Sequence, residues 1–313
     1  MTTRTGLDAQ VGVAEESTVG TFVAPTDYFP FLDEGMEAVN ARIDSDAIRA
    51  GRTILDSDDW AAGARTVSGS VALEARTKQI GMILKHTFGA VATTGSGPYV
   101  HTFTPGDLFG KGLSVQGGRP DAGGVVRAFT YTGCKVSSLT LSAAVDEAVK
   151  LDVDLVGQDE DTGQTLGTFS DPDAGTLFTF VHGALTIGGT AVPCESVSLT
   201  IDNGLQSTRH RLGSVVSTEQ RQEARRTVTV DVVADFEDLV NYNRVVSGAE
   251  AAVVLTFTSG TTILAITMNC RTDGETPTVS GVEEIPLNLS LMAVGSTDAA
   301  AITCVYTNAE ATP

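Results

Sequence analysis

A chain of 313 residues with 42% hydrophobic content and a mean hydropathy of +0.09 can bury a large core, and its length favours two folded units over one. A net charge of −19, from 39 acidic and 20 basic residues, repels nucleic acid and anionic membranes yet suits a passage that DNA crosses without sticking. Six per cent aromatic content with a single tryptophan argues against a stacking groove for sugars or single strands.

The chain opens MTTRTGLDAQVGVAEEST, with no apolar signal core or cleavage pattern. No window holds about 18 unbroken apolar residues, so the protein is expected to fold without export, starting in a cytoplasm. Residues 1–30 read as an arm. RTVSGSVALEA at 65–75 is a strand. RTKQIGMILKHTFGA at 76–90 puts Ile80, Ile83, Leu84 and Phe88 on one helical face, with Gly89 as C-cap. Val149, Leu151, Val153 and Leu155 alternate with Lys150, Asp152 and Asp154, the period of a half-buried strand. The Gly-, Asp- and Thr-rich stretch from Gln158 has linker composition. GALTIGGTAV, from Gly183, reads as a hairpin turned on Gly188-Gly189.

Residues 226–236, RTVTVDVVADF, then repeat the 65–75 pattern at an offset of 161 (226 − 65). The echo extends in both directions. Arg49-Ala50-Gly51 corresponds to Arg211-Leu212-Gly213, each in a polar loop (40–64 and 202–225). DLVNYNRVVSGA at 238–249 corresponds to the first helix, with Leu239 and Tyr242 matching Ile80 and Ile83. Cys134-Lys135 corresponds to Cys270-Arg271, and a closing strand ends at Gly157 in one unit and at Gly295 in the other; PLNLSLM, with Leu287, Leu289 and Leu291, alternates as a strand does. The offset drifts from 162 to between 136 and 138, which small deletions and one shorter hairpin would produce. An internal duplication is expected, with a 1–30 arm, module A at 31–160, a linker at 161–183, module B at 184–296, and a strand and tail at 297–313. Each module is a β-sandwich or barrel with a short flanking helix.

Chemistry is hard to find. Cys134, Cys194, Cys270 and Cys304 lie far apart without a C-x-x-C pair, as buried free thiols do. His86, His101, His182 and His210 form no metal or catalytic motif. GDLFGKG at 106–112 is one residue short of a phosphate loop and has Gly where Ser or Thr is needed, so it reads as a turn. The acidic runs at 56–59, 159–161 and 171–173 lack the glycine and distal Glu of a calcium loop. No active site, cofactor site or metal site is expected.

The segment at 6–38 carries Gly6-Leu7-Asp8-Ala9, Glu16-Ser17-Thr18, Gly20-Thr21 and Pro25-Thr26 ahead of an acidic first strand. In this it resembles the major tail tube proteins of long, flexible-tailed bacteriophages. GCKVSSLTLSAAVDEAVKLDVDLVG at 133–157 and VPCESVSLTIDNGL at 192–205 are similar to that family too. The resemblance implies a β-sandwich tube module whose strands join those of neighbouring subunits in an inner barrel. Loops and terminal arms would bind the next ring, and a double-module chain would form trimeric rings with pseudo-sixfold symmetry. It also implies a tape-measure protein, a tail terminator and a distal tail protein as partners, and assembly in the host cytoplasm into a virion tail for genome ejection. Alternation selects Asp152, Asp154 and Asp231 as candidate lumen-facing carboxylates. The two long loops offer Arg49, Arg52, Arg209 and Arg211 as candidate inter-ring contacts, since arginine pairs well with carboxylates on so acidic a surface. The alternatives are a capsid decoration or minor tail protein forming discrete oligomers and, further off, a tail-associated β-hydrolase with an aromatic-lined acidic cleft.

Overall fold

The computed structural model describes residues 5–170, 173–274, 276 and 285–313, and the chain is mainly antiparallel β-structure. The first half contains β1 (Gln10–Glu16), β2 (Asp27–Tyr28), β3 (Phe31–Glu34), β4 (Glu37–Asp44) and β5 (Trp60–Glu74), then α1 (Ile80–Phe88). It continues with β6 (Gly89–Thr94), β7 (Tyr99–Pro105), β8 (Gly112–Pro120), β9 (Val126–Ala144), β10 (Lys150–Gly157) and β11 (Asp159–Asp161). The second half contains β12 (Gly183–Ile187), β13 (Thr190–Ala191), β14 (Cys194–Asp202), β15 (Thr227–Asp235) and α2 (Val240–Ser247). β16 (Glu250–Ser259), β17 (Thr262–Gly274), β18 (Pro286–Ala293), α3 (Asp298–Ala301) and β19 (Ile302–Asn308) complete it.

One sheet crosses both halves in the order β3/β4–β5–β10–β9–β14–β15–β18–β17, with β3 and β4 sharing one edge of β5. Its strands follow the period-2 pattern. Leu151, Val153 and Leu155 on β10, Val228, Val230 and Val232 on β15, and Leu287, Leu289 and Leu291 on β18 are all buried. Each contributes about 1.5–3 kcal/mol of burial before chain entropy is subtracted. The residues between them point to the other, polar face.

The echo in the sequence is an echo in register. Leu151 opposes Leu73 and Asp154 opposes Ser70. In the second half, Leu287 opposes Ala234 and Ser290 opposes Asp231. Those partners are related by one constant pair of offsets, 136 (287 − 151) and 161 (234 − 73). The same 136 relates Leu155–Val136 to Leu291–Thr272 and Val156–Lys135 to Met292–Arg271. β3/β4–β5–β10–β9 and β14–β15–β18–β17 are therefore two copies of one four-strand pattern. They are joined where β14 pairs with the C-terminal half of β9.

β9 and β17 each continue into an outer layer. The N-terminal half of β9 joins β8, β1, β2 and β11, bending at Gly133, whose φ is +61°. A side chain there would collide with Gln158 as well as strain the backbone. The N-terminal half of β17 joins β16, β12 and β19. The drop in offset is not a shortened hairpin. It falls from 159 at the helix caps (248 − 89) to 136 at the cysteines (270 − 134), and the difference of 23 is the length of 89–111, which carries the hairpin β6–β7. That inserted hairpin pairs through β7 with β19 of the second half. The halves interlock in both directions, each lending the other a strand.

Other expectations need correction. Residues 6–30 are not a free arm, because Val11, Val13 and Ala14 are apolar enough to bury and β1 is paired along its length with β8. Linker composition misleads from Gln158 onward: Asp159–Asp161 pair with β9, and Phe178 is wholly buried in the core. α1 buries the four residues assigned to its face and ends at Gly89 in the left-handed region. α2 ends the same way at Gly248 but buries no residue. Leu239 is exposed because the positions of Leu84 and Phe88 hold Asn243 and Ser247 there, and Val245 makes the contact with the core instead. The Gly188-Gly189 hairpin forms as expected.

Candidate functional site

The polar face of the long sheet is a field of Ser, Thr and Asp side chains. Asp152, Asp154 and Asp231, picked out by alternation, all lie on it and are exposed. Ser138 Oγ donates to Asp154 Oδ2 at 2.5 Å, Ser290 Oγ to Asp231 Oδ1 at 2.7 Å, and the Thr140 and Thr200 hydroxyls meet at 3.0 Å across the β9–β14 junction. Asp154 opposes Ser70 and Ser290 opposes Asp231, so an acid and a serine face each other in both halves with their strands exchanged. Further carboxylates stand at the same levels, Asp202 opposite Ser138 and Asp273 opposite Ser290. The hollow over the junction is lined by Ser142, Ser196, Ser198, Asp231, Asn288 and Ser290, among others. It offers acceptors and hydroxyls, and no aromatic platform.

The loop at 203–226 is folded down onto the first half. Asn203 continues the β14–β9 ladder, its N–H donating to Ser137 O at 2.8 Å and its Nδ2 to Val136 O at 2.9 Å. Gln220 Nε2 donates to Gly157 O at 2.6 Å, and Arg65 N–H to Val215 O at 2.8 Å. Lys135, only 2% exposed, donates to Glu219 Oε1 at 2.6 Å and Leu108 O at 2.7 Å. Burial pushes its ammonium below the ordinary lysine range, and Glu219 opposes that shift. Glu219 Oε1 also accepts from Gly110 N at 2.6 Å, while the Arg221 guanidinium stacks 4.6 Å from the Phe109 ring centroid. The 106–112 turn is thus a docking seat, a role that its failed phosphate-loop pattern could not signal.

The loop between β4 and β5 behaves differently. Paired strand continues to Asp44 and Trp60, and the hairpin projects with Val39, Ile43, Ile48, Ile54, Leu55 and Trp60 exposed. Both loops carry the same tip. Arg52 N–H bonds Arg49 O at 3.2 Å and Ser214 N–H bonds Arg211 O at 3.4 Å, with Gly51 and Gly213 at φ +76° and +93°, a conformation that favours glycine. The candidate arginines are largely engaged within their own loops. Arg49 pairs with Asp56 at 3.2 Å and Asp59 at 2.7 Å, and Arg52 with Asp56. Arg209 donates to Glu219 O at 2.7 Å, and exposed Arg211 donates to His210 O at 3.0 Å.

The N-terminal motif residues build a buried anchor. Glu16 accepts from Gly20 N at 2.6 Å, Gly133 N at 2.8 Å and Ser114 Oγ at 2.9 Å. Its neighbour Glu15 faces α1, where His86 at 2.9 Å and then Lys85 at 2.6 Å hold its carboxyl down at about 2. Burial pushes the Cys134, Cys270 and Cys304 thiols up, Cys270 to about 12, so these are packing residues rather than nucleophiles. Among the described residues no group of three or more His, Cys, Asp or Glu is placed to hold a metal, and no helix is long and apolar enough to cross a membrane.

One edge of the long sheet stands open among the described residues. Among the described residues β3 and β4 pair only with β5, whereas β14, their counterpart, is paired on both sides. At the far end Asp273 and Gly274 of β17 pair with β18, and most counterparts of the β9 residues that carry β14 lie beyond Gly274, outside the described residues. Open edges attract strands.

The family model for phage tail tube protein matches residues 6–302, nearly the whole chain. No curated protein matches it.

Proposed function

The chain belongs to the family of phage tail tube proteins, structural components of the virion tail that assemble with themselves into a tube, and we propose that three copies close into a ring with six similar lobes. One observation supports this reading: the long sheet is a twofold repeat whose internal β9–β14 junction joins two copies of a pattern, with the β3/β4 edge, the counterpart of β14, open among the described residues. Joining the β17 edge of one copy to the β3/β4 edge of the next repeats that junction, and rotation then closes the sheet on itself. The units so repeated are module A at 31–160 and module B at 184–296, with the intervening and flanking segments woven between them.

Closure would turn the Ser/Thr/Asp face inward. Asp152, Asp154 and Asp231 then line a conduit whose negative field keeps a phosphate backbone from adhering during ejection. The loop tips at Arg49 and Arg211 are exposed and suit ring-to-ring stacking. Assembly would run in the host cytoplasm, on a tape-measure protein, between a distal tail protein and a tail terminator, in a siphovirus-type tail. The test is negative-stain electron microscopy of concentrated protein and of intact particles. Stacked rings whose three-fold averages show six similar lobes are expected. Discrete particles with no ring at any concentration, and no such density in tails, would sink the reading.

A further inference from the structure

The two β-loops are one element caught in two states. Counted back from the shared Arg-Thr-Val at 65 and 226, Glu219 falls at the position of Asp58, both seven residues before the arginine. Counted along the edge strand, Val39 and Asp202 oppose equivalent residues, Thr66 and Thr227, so Asn203 falls at the position of Asn40. On the receiving side, Lys135 falls at the position of Arg271. Within the chain the second-half element is docked on the first half: Asn203 is wholly buried and Glu219 is paired with Lys135. The first-half element has no third half to dock on. Its Asn40 is exposed, with Oδ1 accepting from Arg65 Nε at 2.6 Å, and Asp58 is exposed, its contact among the described residues being Ser57 Oγ at 3.3 Å. Arg271 is exposed too, and among the described residues its ion pair is an exposed one with Glu250 at 2.9 Å.

We propose that the β4–β5 arm of one copy docks on the second half of the neighbouring copy in the same ring. Asp58 then pairs with Arg271 and Asn40 caps the Thr272 and Asp273 carbonyls, as Glu219, Lys135 and Asn203 do inside the chain. The proposal rests on the ring reading above. Three further observations fit it. The arm exposes six large apolar side chains between Val39 and Trp60, a concentration that marks a surface waiting for a partner. The charges are complementary, with acid on the arm and arginine on the seat. The seat differs from its template in one respect: the second half lacks the inserted 89–111 segment that supplies Leu108 and Phe109, which leaves Arg271 open to a pair from outside.

The experiment is a charge swap read by sedimentation and electron microscopy. Asp58→Arg and Arg271→Glu should each raise the concentration at which rings form by about tenfold or more, since like charges facing each other across an interface cost several kcal/mol. The double variant Asp58→Arg/Arg271→Glu should restore assembly to within about threefold of wild type. Circular dichroism of each monomer checks its fold. A second measurement does not depend on the swap: Asp58→Cys chains mixed with Arg271→Cys chains under a short bifunctional thiol reagent should give a covalent product containing one of each. Wild-type rings with both single variants assembling normally, or with a double variant no better than the worse single and no mixed cross-link, overturn the docking and leave the ring reading standing. Wild-type protein that never forms rings brings down the ring reading itself.

Discussion

Glu219→Ala is the sharpest test of how the two halves are held together. It leaves the Lys135 ammonium, 2% exposed, with the neutral acceptor Leu108 O at 2.7 Å and the Phe109 ring centroid at 5.7 Å. Removing one member of a buried ion pair costs about 3–5 kcal/mol, and the Gly110 N–H loses its acceptor for about 1 kcal/mol more. Deprotonation limits the penalty, because burial already lowers the Lys135 pKa and Glu219 is the main group opposing that shift, with Asp107 after it. The expected loss is therefore about 3 kcal/mol, in the urea unfolding of the monomer at pH 7 followed by circular dichroism. Glu219→Leu with Lys135→Met should recover most of it, since an apolar pair of similar volume carries no desolvation cost. Asp56→Ala, which breaks ion pairs at exposed arginines, serves as the control and should cost under about 1 kcal/mol. If Glu219→Ala costs no more than that control, the loop is not anchored by this pair, and the template for docking between copies goes with it.

Three further outcomes are expected. The Glu15 carboxyl, held at about 2 against an ordinary 4.5 by His86 and then Lys85, stabilises the fold fully above pH 4.5 and loses that contribution as pH falls from about 4.5 to about 2. Glu15→Gln should flatten this acid limb by about 1 kcal/mol, a modest value because the side chain is 41% exposed; an unchanged limb would remove the role given to it. A thiol reagent should titrate Cys194 in the folded protein and reach buried Cys134, Cys270 and Cys304 only on unfolding, so more than one fast equivalent would contradict the packing described. The triple variant Asp152→Lys, Asp154→Lys, Asp231→Lys should assemble but slow DNA ejection at low salt, where screening is weak. Ejection at the normal rate would exclude an electrostatic role for these carboxylates.

Much of this protein was legible from period and repetition alone. Leu151, Val153 and Leu155, and Leu287, Leu289 and Leu291, alternate with polar neighbours, and alternation is a local property that any half-buried strand must show. The same rule put Asp152, Asp154 and Asp231 on one face, while repetition gave an offset of 136 to 138 for the closing strands, which the pairing of β10 and β18 narrows to 136. What local pattern cannot carry is which edge a strand joins. The β6–β7 hairpin crosses to β19, β1 is taken up by β8, and Lys135 finds Glu219 84 residues away, because strand edges and buried charges are satisfied wherever the chain brings a partner, at no fixed spacing. Composition misled for the same reason: the stretch after Gln158 looks like linker, but Asp159–Asp161 are paired with β9. The two long loops show the division most plainly. Their sequences carry the same Arg-x-Gly turn, yet one is docked and the other projects, because only one of them has a surface within its own chain to receive it.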